Sequence, residues 1–239
     1  MMLLIIASKY ANLNTNGRTS LLFQYSLSLA EEDKYVLFIS PTQPDKLPLL
    51  SEGKEPPTAK LLKYITMVYP KNLQQLLQFL SSAHTVERNI PYAVIIDDLD
   101  TYYIDKNKTT QKNAIKATIC SYLYDVVEFY SSKLTSKPET SRNVSCHLIA
   151  AINSSSFSTK DVKDDKDNKI MQEWFYPTLL VTSTNSPKNL DPTSSSTFHL
   201  STCDSPTTFL LTYQLHKKGT ITLCSVRNSL DTSEVDWFK

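Results

Sequence analysis

Asn12-Leu-Asn-Thr-Asn-Gly-Arg-Thr-Ser20 lies between a short apolar run, Leu3 to Ala7, and a leucine-rich stretch of helical period. It has the outline of a phosphate-binding loop. Such a loop, of the form G-x-x-x-x-G-K-[ST], follows a strand and opens a helix. Its backbone N–H groups cradle phosphates, its lysine neutralises them and its Ser/Thr hydroxyl holds Mg²⁺. Gly17 and Thr19 fit, whereas Arg18 stands where the lysine belongs and Asn12 where the first glycine belongs. The run from Ala7 to Asn16 is also longer than the usual loop. The reading is a nucleotide-binding fold with altered nucleotide chemistry, its candidate contacts being Gly17, Arg18, Thr19 and Ser20. A guanidinium binds phosphate well, but its planar fork is bulkier than an ammonium and replaces it poorly in a tight loop. The other reading of Arg18 is a solvated residue in the first turn of the helix.

Outward from this loop, strand and helix patterns alternate. Leu3 to Ala7 reads as a strand and Thr19 to Glu32 as a helix, with Leu21, Leu22, Tyr25 and Leu29 at three- and four-residue spacing. Tyr35 to Ser40 is a second strand, followed by a proline-rich loop through Pro57 and a short strand at Tyr64 to Tyr69. Asn72 caps an amphipathic helix reaching His84. Tyr92 to Asp97 is a continuous apolar strand of the kind buried on both faces. Thr109 to Leu134 is the longest helix and Ser145 to Asn153 another buried strand. Residues 154–169 and 184–197 read as loops, separated by a short helix, Ile170 to Tyr176, and a strand, Thr178 to Ser183. Thr207 to Leu215 and Thr220 to Val226 flank Lys217-Lys218-Gly219 as a β-hairpin. The order predicts one α/β domain over 1–239, a mostly parallel sheet with helices on both faces and a C-terminal hairpin.

Composition narrows the function. The 239 residues carry a net charge of +1, so no global field draws in nucleic acid and any such contact rests on local clusters. With only 3 glycines, Gly17 is the one glycine near the loop. The 4 cysteines form no C-x-x-C pair, so no zinc site is expected, and reduced, mostly buried thiols are. Met1 to Ala7 lacks the basic start and the apolar length, about 7–15 residues, of a signal peptide. No run approaches the roughly 20 apolar residues of a membrane span. The histidines show no ligand spacing, and no Ser/His/Asp or Cys/His pattern emerges. Trp237-Phe238 reads either as a docking tail or as a partner contact.

Two further constellations are candidates. Asp97 ends a buried strand, where an acidic residue of a phosphate-loop enzyme holds Mg²⁺; with Thr19 it forms the candidate metal pair and it is the candidate catalytic acid. A turn-forming Asp is the alternative. Beyond it, Tyr102 and Tyr103 are interleaved with Lys106, Lys108 and Lys112. Aromatic faces beside cations suit single-stranded DNA; tyrosines capping the core under a solvated loop are the other reading. The four lysines and four aspartates of 154–169 cancel, which suits phosphate poorly.

Gly17-Arg-Thr-Ser-Leu-Leu-Phe23, Tyr35-Val-Leu-Phe-Ile39, Tyr69-Pro70 with Leu76-Leu-Gln-Phe-Leu-Ser-Ser-Ala-His84, and Ile95-Ile-Asp-Asp-Leu-Asp-Thr-Tyr102 together resemble the SWIM-domain-associated ATPase-like (SWSAP) family of the Shu complex, divergent paralogues of the RecA-type recombinases. The resemblance covers Leu3 to Leu134. It implies a RecA-like core that pairs with a zinc-binding SWIM-domain partner, binds single-stranded DNA and supports recombinase filaments in homologous recombination in the nucleus. It also places the DNA-facing loops at 100–112 and 154–169, and raises ATP and Mg²⁺ as cofactors. The family's loop carries lysine where this chain has Arg18 and is richer in glycine, so weak or absent hydrolysis is expected. A DNA-stimulated ATPase of the same complex and an unrelated phosphate-loop nucleotide-binding protein are the alternatives.

Overall fold

A computed structural model describes residues 2–8, 17–103, 111–136, 144–154, 169–183, 196–202, 209–216 and 220–228. In chain order the elements are β1 (Met2–Ser8), α1 (Arg18–Glu31), β2 (Val36–Ile39), β3 (Leu50–Ser51), α2 (Ala59–Leu62), β4 (Ile65–Val68), α3 (Leu73–Ser81), β5 (Ala93–Ile96), α4 (Lys112–Thr135), β6 (His147–Ser154), α5 (Lys169–Trp174), β7 (Thr178–Ser183), β8 (Ser196–Thr202), β9 (Phe209–Leu215) and β10 (Thr220–Asn228). Ten strands form one sheet in the order β3-β10-β9-β8-β7-β1-β6-β5-β2-β4. The run from β7 to β4 is parallel throughout, and β8, β9 and β10 continue it as an antiparallel meander.

Alternation along the central strands explains their apolar runs. On β1, Leu4 and Ile6 face one core while Ile5 and Ala7 face the other. The first core lies under α3, α4 and α5, through Leu76, Leu80, Ile119, Leu123 and Phe175. The second lies under α1, through Leu22, Phe23 and Leu27, and extends beneath β8 to β10. A strand buried on both faces has no polar side to show, so it reads as an unbroken hydrophobic stretch. Asn72 caps α3 as expected, its Oδ1 accepting from the Gln75 N–H at 3.0 Å.

The hairpin is β9 paired with β10, antiparallel from Ile221↔Leu215 to Asn228↔Phe209, with a bulge between Leu223 and Ser225. Three elements were not expected. β3 interrupts the proline-rich loop, α2 follows it ahead of β4, and β8 opens at Ser196, inside the range read as loop. β3 is only two residues long and α2 only four, too short for either period to register. β8 is a serine- and threonine-rich strand whose pattern resembles a loop's composition.

Candidate functional site

β1, β5 and β6 are parallel neighbours, so their carboxyl ends open on the same side of the sheet, where ligands of such sheets bind. Asp97 directly follows β5, its N–H donating to the Ile39 carbonyl at 2.8 Å. Asn153 lies near the end of β6, in register with Ala7. Above them α1 begins at Arg18. Gly17 enters that helix at φ 67°, in the left-handed region. A Cβ there would lie 2.6 Å from Leu215 Cδ2 and push the end of that side chain aside, while the left-handed backbone itself favours glycine.

Arg18 is 4% exposed and holds the site together. Its Nε donates to Asp97 Oδ1 at 3.0 Å and its Nη1 to Asn153 Oδ1 at 2.6 Å. Its Nη2 lies 2.9 Å from Asp97 Oδ1 and bonds Asp98 Oδ1. Thr19 Oγ1 donates to the other Asp97 oxygen, Oδ2, at 2.5 Å. The Asp98 N–H donates back to Asp97 Oδ1 at 3.0 Å. Asn153 completes the ring, its Nδ2 donating to Asp98 Oδ1 at 2.8 Å and its N–H to Asp100 Oδ1 at 3.0 Å. Asp98 adopts φ 48°, a left-handed conformation that a short polar side chain tolerates.

The charges are unequal: Asp97, Asp98 and Asp100 surround one guanidinium. Burial works to lower Arg18, but the carboxylates Asp97, Asp98 and Asp100 outweigh it and hold the group charged, above its ordinary value. Burial pushes Asp97 up and the charge of Asp98 adds to that, against Arg18, the Thr19 hydroxyl and the Asp98 N–H. Burial likewise raises Asp100. A planar fork with donors on three nitrogens suits this task, and an ammonium would not reach all three partners.

The fit to a bound nucleotide is mixed. Thr19 and Asp97 offer one hydroxyl and one carboxylate, hard oxygen donors of the kind Mg²⁺ takes beside its waters. They border a cleft of about 180 Å³ with Ser40, Pro44, Tyr69 and Asp98. Among the described residues no cluster of three or more His, Cys, Asp or Glu side chains is arranged to hold a metal by itself. The first-turn N–H groups of α1 supply the backbone half of a phosphate cradle. Arg18 does not fit the other half, because each guanidinium nitrogen already bonds a side chain of its own fold. Turning it toward a phosphate would strip Asp97 of its cation. Reading Arg18 as a solvated residue is corrected as well.

Ser20 is buried and its Oγ accepts from the Leu49 N–H at 2.9 Å, tying the proline-rich segment to α1. Tyr102 and Tyr103 are 5% and 4% exposed, which corrects their reading as stacking platforms. They lie at the turn after β5; the Tyr102 hydroxyl donates to the Pro70 carbonyl at 2.8 Å, and Lys116 Nζ sits 4.9 Å from the Tyr103 ring centroid. They cap the core. Lys112 opens α4 and is half-buried, while Lys106 and Lys108 fall outside the described residues, as do 155–168. Sequence reasoning missed Asn153 and Asp98. A signal was present for Asn153, a polar residue closing an otherwise apolar strand as Asp97 does.

No protein-family model matches the chain. Its sequence is 31% identical over 166 residues to the ATPase SWSAP1 of Mus musculus, covering 68% of this chain and 53% of that protein. The chain thus spans about half the length of this curated relative. Its structure is similar to that of the RadB recombinase, with a TM-score of 0.57 at 13% identity, covering 92% and 90% of the two chains. It is also similar to a KaiC-like protein of Pyrococcus horikoshii, with a TM-score of 0.54 at 9% identity, covering 93% and 89%. The fold is RecA-like, a mostly parallel sheet with helices and an antiparallel C-terminal extension.

Proposed function

We propose that this SWSAP-like RecA-type paralogue is an adaptor in homologous recombination, a binding protein whose nucleotide site is held shut by its own side chains. One observation carries the reading: the cation at the lysine position is bonded to Asp97, Asp98 and Asn153. In this reading Arg18 does from within what a phosphate-bound Mg²⁺ would do from outside, joining α1 to the ends of β5 and β6. The residues 1–239 act as one RecA-like domain. The chain pairs in the nucleus with a zinc-binding SWIM-domain protein and supports a recombinase filament. Single-stranded DNA contact falls to Lys106, Lys108 and Lys112, with charge and not tyrosine stacking as its basis.

The reading predicts little or no ATP hydrolysis by the purified protein, alone or with its SWIM-domain partner. Phosphate release measures it. Turnover at an ordinary phosphate-loop rate, abolished by Thr19→Ala and by Asp97→Ala, would overturn it in favour of a working ATPase in which Thr19 and Asp97 hold Mg²⁺.

A further inference from the structure

The amino ends of four neighbouring strands carry a row of rings. β4, β2, β5 and β6 lie side by side in the sheet. Tyr64, Tyr35 and Tyr92 stand immediately before the first three of them, and His147 opens the fourth. The ladder runs through these positions. Val36 N–H donates to the Tyr64 carbonyl at 2.8 Å, Tyr92 N–H to that of Tyr35 at 2.7 Å and His147 N–H to that of Tyr92 at 2.8 Å. The aromatic residues therefore follow one another at strand spacing. They form two pairs, Tyr35 with Tyr64 and Tyr92 with His147, with ring centroids 4.9 Å apart and planes tilted by 40° and 57°. All four are half-buried, so each keeps an exposed edge. The Tyr25 hydroxyl lies 2.8 Å from His147 Nδ1 and fixes that ring, and Lys34 Nζ lies 4.3 Å from the Tyr92 centroid.

We propose that this ledge binds a proline-rich segment of a partner protein, in the polyproline II conformation and with a basic residue at its Tyr64 end. The spacing carries the class of ligand. Two tilted ring pairs make two grooves whose centres lie two strand spacings apart, about 9.6 Å. A polyproline II helix repeats every three residues, about 9.3 Å. Prolines one turn apart thus enter both grooves together, and such a segment has little conformational freedom to lose on docking.

Charge supplies the flank. Glu31, Glu32 and Asp33 are exposed at the carboxyl end of α1, where the helix dipole is already negative. Lys34 pairs with Glu32 and Lys54 with Glu31. Asp33 bonds the Tyr64 hydroxyl and has no ion-pair partner among the described residues. An arginine or lysine of the ligand takes that place. The same carboxylates disfavour a phosphate chain, and rings turned on one another offer grooves, not the open faces on which bases stack.

Peptide titration of the full-length protein, followed by amide chemical shifts, tests this. The probes are a peptide of nine prolines ending in arginine, the same peptide ending in serine, a glycine–serine decapeptide ending in arginine, and a ten-residue oligothymidylate. The proline–arginine peptide should bind with shifts at Tyr35, Tyr64, Tyr92 and His147. Tyr35 packs into neither core, so Tyr35→Ala should remain folded by its melting curve and bind about fivefold more weakly. Asp33 takes φ 57°, which asparagine tolerates. Asp33→Asn should therefore bind the arginine and serine peptides equally, whereas the parent prefers the arginine peptide. No saturable binding of the proline–arginine peptide, equal binding of the glycine–serine peptide, or an affinity unchanged in both variants would overturn the proposal. Oligothymidylate shifting the same amides would overturn it in favour of a nucleic-acid surface.

Discussion

Arg18 shows how one side chain changes what a loop can do. A lysine is a point charge that can swing to a phosphate; the guanidinium is a fork that binds several oxygens at once. Here it is buried with Asp97, and a buried carboxylate stripped of its cation is costly. Arg18→Met is therefore expected to destabilise the fold by about 3–5 kcal/mol, read from urea unfolding. Adding Asp97→Asn should recover part of that loss, because the pair is coupled and the two changes are not additive. Arg18→Lys should keep the charge, lose the bonds to Asn153 or Asp98, and still not hydrolyse ATP. An unfolding midpoint for Arg18→Met equal to the parent's would mean the network contributes nothing. The sequence made Gly17, Arg18, Thr19 and Asp97 visible because they keep motif spacing. It could not show that Arg18 turns inward, since its partners Asp98 and Asn153 are 80 and 135 residues away.

At the scale of elements, the entry into α1 is set by packing from the far end of the chain. Gly17 sits against Leu215 of β9, so the turn that starts the helix is shaped by the meander. Gly17→Ala combines a left-handed backbone, costing about 1–2 kcal/mol, with a Cβ that displaces Leu215. Pairing it with Leu215→Ala should relieve the clash and leave the backbone cost, so in thermal melts the double variant should lose less than the sum of the singles. Full additivity would show that Leu215 already has room to move. The strong elements were legible: β1, β5 and β6 as apolar runs, α3 by its cap, β7 to the residue. The tyrosines were not, because a stacking aromatic and a core-capping aromatic have the same sequence appearance. Only the turn after β5, which rotates Tyr102 toward Pro70, separates them.

Across the whole molecule the buried thiols make stability depend on pH. Burial pushes Cys120 and Cys146 from an ordinary 9.0 up to about 12. Below pH 9 both are protonated in folded and unfolded chains alike, and their contribution to stability is intact. As pH rises from 9 toward 12 the unfolded chain releases these protons while the fold retains them, so stability falls, by about 1.4 kcal/mol per pH unit per thiol. Urea midpoints at pH 8, 10 and 11 should decline with that sign; a level profile would mean that neither thiol is shielded. The sheet order has a further consequence, for how the protein is made. β1 is synthesised well before its neighbours in the sheet, β6 and β7, which begin at His147 and Thr178. At a synthesis rate of about 5–20 residues per second, Met2–Ser8 waits several seconds or longer with both apolar faces bare. The nascent chain is thus a natural client for chaperones, and its yield in a cell depends on how well that one strand is sheltered until its neighbours arrive.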